Sequence, residues 1–436
     1  ASAPPSRTTT LLQSSFTSDS CLMTPQNHKR FRVAIPILAP MGVRRDDAWS
    51  CRPRVPHVIP LGMNLRAFRE HPWRVMIAVN AVVALGVLLH KITLPPFVPY
   101  IHLLVDYHFG FTKRALIGAA VSLFSAKVPV WLVFVLGGAV WLITLALFVT
   151  LFRRTFGFSD RHMPLFVFMA GSPFFFKNFM HTLGHFDIYG CALTIVLLLI
   201  PARSMLFVAA AAMASMILIL IHQIHFLMYV PTIAAIVVLR YYLVHRVSRR
   251  NVVAGIVACA SVGLLFLAVQ FYGSMAVPED RFIDYLSGRM ADPSQTRLLS
   301  FSYIWYQGLA TELHDTWARM PSNLLGVPVF ALLIWLHTPL WKYFAALIRA
   351  VSDDWHRRVV VAAIVGVSVG YLIMFAVVFD YSRWISNWAV CMFLILHAVK
   401  MLPAAEVAPV APDNRRNQVF GWIVTLIPRV GIVRPF

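Results

Sequence analysis

One short stretch of the chain combines the residue types that acid–base chemistry and anion binding need. Residues 105–118 contain a carboxylate (Asp106), an imidazole (His108) and two cations (Lys113 and Arg114). A carboxylate can remove a proton from a hydroxyl group, and neighbouring Lys, Arg and His side chains can bind a phosphate. The stretch therefore predicts the edge of an active site. The alternative is an interfacial loop that aromatic and basic residues anchor at a membrane surface.

Further polar side chains occur in three other segments that could meet this stretch in the folded chain. They are His185, Asp187, His222, His225, Asp380 and Arg383. The acids could support catalysis, and the arginine could bind phosphate together with the first two cations. The imidazoles could bind phosphate or transfer protons. We therefore predict that all six belong to the same site.

Each of these groups also has a purely structural interpretation. Asp187 can cap the helix that starts there, and Asp380 can form a local ion pair with Arg383. His181 and His185 lie four residues apart, as metal ligands do on one face of a helix. The predicted helix begins only near Asp187, however. We therefore predict no metal site, and a requirement for a divalent metal stays open.

The composition is that of a membrane protein. Hydrophobic residues make up 59% of the 436 residues, charged residues make up only 13%, and the mean hydropathy is +0.71. Apolar runs of about 17 to 22 residues suit helices that cross a bilayer. The sequence therefore predicts an all-α fold, a polytopic bundle of transmembrane helices in contact with the lipid bilayer.

About ten apolar segments are predicted to cross the membrane. They are residues 74–92, 129–151, 162–177, 187–202, 204–221, 224–240, 252–271, 323–345, 358–379 and 383–402. With both termini in the cytoplasm, most cations near span ends fall in cytoplasmic connections, as the positive-inside rule requires. The net charge of +20 is therefore attributed to membrane orientation, and no nucleic-acid partner is predicted.

This topology divides the chain into three parts. Residues 1–62, rich in Ser, Thr, Pro and Arg, are predicted to be a disordered tail, and an over-extended reading frame before Met63 would account for them. The other parts are the transmembrane bundle, residues 63–402, with external loops at 93–128 and 273–322, and a cytoplasmic tail, residues 403–436.

The predicted topology places the acids in external segments, and no Asp or Glu falls in the middle of a predicted span. Ion-coupled transporters usually place an ionisable residue at mid-membrane. External acids beside cations instead suit sugar transfer from a polyprenyl phosphate or diphosphate. A base deprotonates the acceptor hydroxyl, and cations neutralise the departing phosphate. The long loop, residues 273–322, adds arginines and aromatic residues that suit a carbohydrate or a lipid headgroup, or else form an amphipathic surface helix.

These features resemble the GT-C class of polytopic glycosyltransferases, which use polyprenyl-phosphate-linked sugars on the non-cytoplasmic face. The matching features are the number of spans, Asp106 in the first external loop, Asp187 at the outer start of a later span and the long external loop. The resemblance implies that Asp106 is the catalytic base and that Asp187 is a second catalytic acid, supporting the acceptor or a metal. His185, rather than another acid, stands two residues before Asp187.

A second resemblance is to O-antigen and exopolysaccharide polymerases, in which external arginines bind pyrophosphate. Arg297 and Gly308 match the spacing of an arginine, ten residues and a glycine. A lipid or glycan transporter, or flippase, is the alternative from a different class. The sequence thus predicts a multi-pass glycosyltransferase of the inner (plasma) membrane. Its external site would transfer a sugar from a polyprenyl-linked donor to a glycan or lipid acceptor of the cell envelope.

Overall fold

Helices and the loops that join them make up the part of the chain that the structure describes. The computed structural model describes residues 71–245, 248–378, 380–404 and 406–430. Within these ranges there are α-helices and a few short 3-10 and π turns, and no strand. The all-α prediction is therefore confirmed. The predicted disordered tail, residues 1–62, lies outside the described residues.

Eighteen α-helices, numbered in chain order, occur in the described residues. They are α1 (Pro72–Ile92), α2 (Phe97–Leu104), α3 (Leu116–Ser122), α4 (Trp131–Thr155), α5 (Met163–Ala170), α6 (Phe176–His181), α7 (Asp187–Leu199), α8 (Met205–Ile221), α9 (His225–Met228), α10 (Val230–Val237), α11 (Arg249–Tyr272), α12 (Glu279–Arg289), α13 (Leu309–Leu324), α14 (Val327–Leu336), α15 (Thr338–Ala350), α16 (Asp354–Val377), α17 (Tyr381–Lys400) and α18 (Arg415–Leu426). A π-helical turn at Val238–Tyr242 and 3-10 helices at Pro293–Leu299 and Ser302–Trp305 lie between them.

Five helical segments of the described chain are long and apolar enough to cross a membrane. They are α1, α4, α11, α16 and the stretch His225–Tyr242, which includes α9 and α10. A sixth results if α13 and α14, which are bent by 64° at a short break, are taken as one span. Two further apolar helices, α7 and α8, are shorter. The structure thus confirms several candidate spans, whereas the count of ten and the sides of the termini stay predictions.

The predicted third span, residues 162–177, is broken in the middle. Between α5 and α6 the backbone leaves the helical conformation. Ser172 lies in this break, where its Oγ accepts a hydrogen bond from the backbone N–H of Phe174 (3.1 Å) and lies 2.9 Å from Nε2 of His337. Irregular backbone is tolerated at membrane depth where it is buried in protein and its polar groups are satisfied. These contacts therefore stabilise the break.

Contacts between distant parts of the sequence define two ends of the bundle. Arg74, near the start of α1, pairs with Asp160 at 2.8 Å, and we call this end the proximal face. At the other end Arg383 pairs with Asp187. Lys91, near the end of α1, is close enough to affect the histidine two residues before Asp187. We call this second end the distal face.

The two long predicted loops pack against each other. Lys113 donates a hydrogen bond through Nζ to the carbonyl of Gln307 (2.6 Å), and the indole N–H of Trp305 donates to the carbonyl of Lys113 (3.1 Å). Trp305 is fully buried in a hydrophobic cluster to which both loops contribute. We call residues 97–128 together with residues 275–306 the cap. Because its halves share a core, the cap positions polar side chains from both loops.

The segment predicted as a cytoplasmic tail, residues 403–436, contains a helix that packs on the bundle. This helix, α18, lies so close to α1 that a Cβ on Gly421 would come within 2.6 Å of the ring of Trp73. The indole N–H of Trp73 also donates to the carbonyl of Pro412 (3.0 Å). The segment is therefore part of the bundle in its described portion, and its side of the membrane stays a prediction.

Two helical glycines give a matched test of packing in the bundle. A Cβ on Gly190 in α7 would come within 2.2 Å of the ring of Tyr229, whereas a Cβ on Gly138 in α4 would meet nothing within 4 Å. We expect Gly190→Ala to lower the free energy of unfolding by about 1–3 kcal/mol through overpacking. Gly138→Ala should leave it unchanged or raise it by up to about 1 kcal/mol, because alanine favours the helix. Thermal melting of both variants in detergent tests this, and equal midpoints would contradict it.

Candidate functional site

Asp106 lies in the cap just after α2, with three hydrogen-bond donors around its carboxylate. The hydroxyl of Tyr285 lies 2.8 Å from both oxygens, Nη1 of Arg289 lies 2.9 Å from Oδ2, and the backbone N–H of His108 donates to Oδ1 (3.0 Å). Burial and then the bond to Asp106 raise the pKa of Tyr285 to about 12, so its hydroxyl stays a donor at neutral pH. The Asp106 side chain is 12% exposed, so its hydrogen bonds fix its position while it stays accessible to solvent.

The helix α12 supplies these partners from one face. Arg281, Tyr285 and Arg289 are each four residues apart, a spacing that aligns them along a helix. The guanidinium of Arg281 lies 5.8 Å from the ring centre of Phe109, and the ring of His108 stacks on Tyr285 at 4.4 Å. Tyr285 and Arg289 are not among the site residues that the sequence predicts. Their four-residue spacing is the signal that could have identified them.

Asp187 lies at the start of α7 in a buried ion pair. Both Nε and Nη2 of Arg383 donate to its carboxylate, Nη2 at 2.5 Å, and the amide nitrogen of Asn387 lies 3.3 Å away. The oxygen of Asn387 accepts a hydrogen bond from the hydroxyl of Tyr229 (2.7 Å). Arg383 therefore pairs with Asp187 rather than with its sequence neighbour Asp380, whose Oδ1 accepts a hydrogen bond from a serine hydroxyl.

Arg114 is buried and adopts a left-handed backbone conformation with φ of 63°, which side-chain-bearing residues rarely adopt. Its Nε lies 3.5 Å from Oε1 of Gln223, and its Nη2 lies 3.8 Å from Oε1 of Glu312. Burial lowers the pKa of Arg114 to about 10; the charge of Glu312 opposes this shift and that of Arg383 adds to it. Burial and then the charge of Arg114 lower the pKa of Lys113 to about 8.

Imidazoles lie close to both Arg114 and Arg383. The ring centre of His102 is 6.4 Å from that of His222, which is 6.2 Å from that of His225. Burial, and then the charges of the two arginines, lower the pKa of His102 and of His222 well below 6.5. These two rings are therefore neutral at physiological pH. Neither ring nitrogen of His102 has a hydrogen-bond partner among the described residues.

Most of the predicted site residues thus come together in one group, which we call the distal cluster. Its predicted members are Lys113, Arg114, His185, Asp187, His222, His225 and Arg383, and the structure adds His102, Gln223, Glu312 and Asn387. Asp106 and His108 form a separate group in the cap with Tyr285 and Arg289. The contacts described above do not include Arg297, which is exposed on the 3-10 helix Pro293–Leu299.

His181, one of the two histidines with the spacing of metal ligands, contacts an arginine. Nε2 of His181 lies 3.0 Å from Nη1 of Arg429, and a cation so close disfavours a second one at that nitrogen. Among the described residues, no group of three or more His, Cys, Asp or Glu side chains is arranged to hold a metal ion.

The distal cluster has the chemistry of an anion-binding site. The cations Lys113, Arg114 and Arg383 lie in one group. The carboxylates around them include those of Asp187, Glu312 and Asp380, and neutral imidazoles lie nearby. Arg and Lys side chains bind the oxygens of a phosphate through charge-assisted hydrogen bonds. Comparisons with known protein families, curated protein sequences and solved structures give no match for this chain.

The two ion pairs at opposite ends of the bundle give a test of the buried pair. The Asp187 side chain is 1% exposed, whereas Arg74 and Asp160 are both more than half exposed. We expect Arg383→Gln to destabilise the fold by about 3–5 kcal/mol, because it leaves a buried carboxylate without its partner. The exposed counterpart, Arg74→Gln, should cost at most about 1 kcal/mol.

Melting temperatures of the two single variants and of the double variant Asp187→Asn/Arg383→Gln make the measurement. The double variant removes both charges, so it should melt above Arg383→Gln. If Arg383→Gln and Arg74→Gln have the same melting temperature, the ion pair of Asp187 and Arg383 does not stabilise the distal face.

Proposed function

We propose that the protein is a membrane-embedded glycosyltransferase of GT-C type. It moves a sugar from a polyprenyl-phosphate-linked donor to a glycan or lipid acceptor of the cell envelope. The observation that carries this proposal is the distal cluster, in which Lys113 and Arg114 from the cap meet Arg383 from α17 at the end of a bundle of apolar helices. A lipid-linked phosphate has a negative charge that the cations of the cluster would bind and an apolar chain that would lie against the apolar helices.

An apolar cavity supports a lipid-linked donor. A cavity of about 730 Å³ lies between α8, α10 and α11, and apolar side chains line nearly all of it. Phe226 belongs to its lining and directly follows His225 of the distal cluster. The hydrocarbon chain of the donor can lie against this apolar surface while its phosphate lies near the cluster.

We propose that about ten segments cross the plasma membrane, with the distal face outside. Basic side chains support this orientation, because they occur near the ends of helices at the other face. Arg154 donates to the carbonyl of Leu199 (3.1 Å), and Arg240 donates to those of Leu197 (2.8 Å) and Leu198 (2.9 Å). In this arrangement a donor that is presented on the external leaflet would reach the cluster from the side.

In the proposed reaction, Asp106 removes the proton of the acceptor hydroxyl as its oxygen attacks the anomeric carbon. The bond between that carbon and the phosphate oxygen breaks, and the phosphate leaves with the electron pair. Lys113, Arg114 and Arg383 stabilise its charge, and Asp187 holds Arg383 in position. To act as a base, Asp106 exchanges the hydroxyl of Tyr285 for that of the acceptor.

The catalytic role of Asp106 is testable by turnover. We expect Asp106→Asn to reduce release of polyprenyl phosphate from a polyprenyl-phosphate sugar by about 100-fold or more, the usual contribution of a general base. Asp160→Asn, which removes an exposed carboxylate at the proximal face, is the matched control and should keep wild-type turnover. Binding of the donor to both variants shows that they are folded. Full activity of a correctly inserted Asp106→Asn variant would overturn the assignment.

The lowered pKa of Lys113 predicts the pH dependence of donor binding. Its pKa of about 8 means that this lysine loses its charge as the pH rises through 8, well before an ordinary lysine at 10.5. Affinity for polyprenyl phosphate should therefore fall between about pH 7 and pH 9. In Lys113→Arg the fall should move to higher pH, because arginine stays protonated. Titration of binding against pH tests this, and identical profiles would exclude Lys113 from the site.

A further inference from the structure

A second group of basic side chains lies at the distal face, outside the distal cluster. Arg429 contacts His181, and Lys91 and His90 are close to the same imidazole. Burial, and then the charges of Arg429, Lys91 and His90, lower the pKa of His181 to about 4, so its ring is neutral at physiological pH. Among the described residues, neither Lys91 nor Arg429 forms an ion pair with a carboxylate.

Arg429 reaches this place through a segment that follows α1 along its whole length. Pro412 accepts a hydrogen bond from Trp73 near the start of α1, and Gly421 lies against Trp73 and Met76. Arg429 lies 3.0 Å from His181, and the charge of Lys91, at the end of α1, also acts on that imidazole. Because α1 is a candidate span of 21 residues, about 30 Å long, residues 412–429 extend across a comparable depth.

Lys177 explains how this segment can end a helix inside the protein. The last carbonyls of a helix have no partner in the helix, and burying them unsatisfied is costly. Lys177 is fully buried, and its Nζ donates to the carbonyls of Val424 (3.0 Å) and Thr425 (2.7 Å) in the last turn of α18. The non-helical residues 427–430 can therefore continue toward the distal face.

We propose that residues 412–430 cross the bundle from the proximal to the distal face, where Arg429, Lys91 and His181 bind the phosphate group of a membrane lipid. Among the described residues these two cations have no carboxylate partner, and Arg and Lys with an imidazole suit the oxygens of a phosphate. Their position at the end of a candidate span is the level at which lipid phosphates lie. This site does not depend on the proposed transfer reaction.

The path of the segment is tested with cysteines and a membrane-impermeant maleimide in sealed vesicles. Pro428→Cys should be labelled from the same side as Ser300→Cys, which lies in the cap. Arg415→Cys, at the start of α18, should be labelled from the opposite side. All three positions are exposed, and the parent chain gives the background from native cysteines. Labelling of Pro428→Cys and Arg415→Cys from one side would overturn the proposed path.

Lipid binding is tested by counting the phosphatidylglycerol that the full chain retains from vesicles of phosphatidylcholine and phosphatidylglycerol. Arg429→Gln should weaken retention about tenfold, the loss expected for one charge-assisted hydrogen bond. Arg429→Lys should keep most of it, and Arg415→Gln, at the other end of α18, should change nothing. If Arg429→Gln does not fold, Lys91→Gln makes the same comparison.

Inorganic phosphate separates a lipid site from a site for free phosphate. Retention of phosphatidylglycerol that depends on Arg429, without measurable binding of inorganic phosphate, supports the lipid site. Binding of inorganic phosphate without lipid retention would overturn the lipid assignment. Equal retention by wild type and Arg429→Gln would overturn the site.

Discussion

The buried pair of Asp187 and Arg383 is the interaction on which the distal face depends. A carboxylate that is almost fully buried keeps its charge only if a partner and further donors compensate for the lost water. Arg383 supplies two hydrogen bonds and Asn387 contributes a third contact. Asn387 in turn holds the hydroxyl of Tyr229, whose ring occupies the space beside Gly190. One charge pair thereby fixes α7 and α17, together with the turn between α9 and α10.

The cap links this network to the carboxylate of Asp106 through a single short helix. In α2, His102 lies beside the arginines of the distal cluster, while the carbonyl of Leu104 accepts a hydrogen bond from Arg289, the partner of Asp106. Trp305 packs 5.5 Å from the ring of His102. Because these contacts share one core, the proposed base and the proposed phosphate ligands keep a fixed relation without belonging to one hydrogen-bond network.

Apolar periodicity predicts where helices lie but not where they break or which charges pair. The predicted span at 252–271 differs from α11 by a few residues only. Pro173, directly after Ser172, is a local signal for the break in the third predicted span, since proline interrupts a helix. The contact of Ser172 with His337, far along the chain, has no such signal. Asp187 and Arg383 are both predicted site residues, yet their pairing depends on how α7 packs against α17. His102 gives no sequence signal at all, since a single histidine in an apolar helix looks like many others.

At Arg114 the left-handed backbone lowers the stability of the fold, while the side chain contributes a cation to the distal cluster. This conformation costs a side-chain-bearing residue about 1–2 kcal/mol, and glycine would adopt it freely. Selection for thermal stability alone would therefore favour glycine at this position, at the loss of one of the cations of the distal cluster. Laboratory evolution of a more heat-resistant chain would favour that replacement unless ligand binding were selected at the same time.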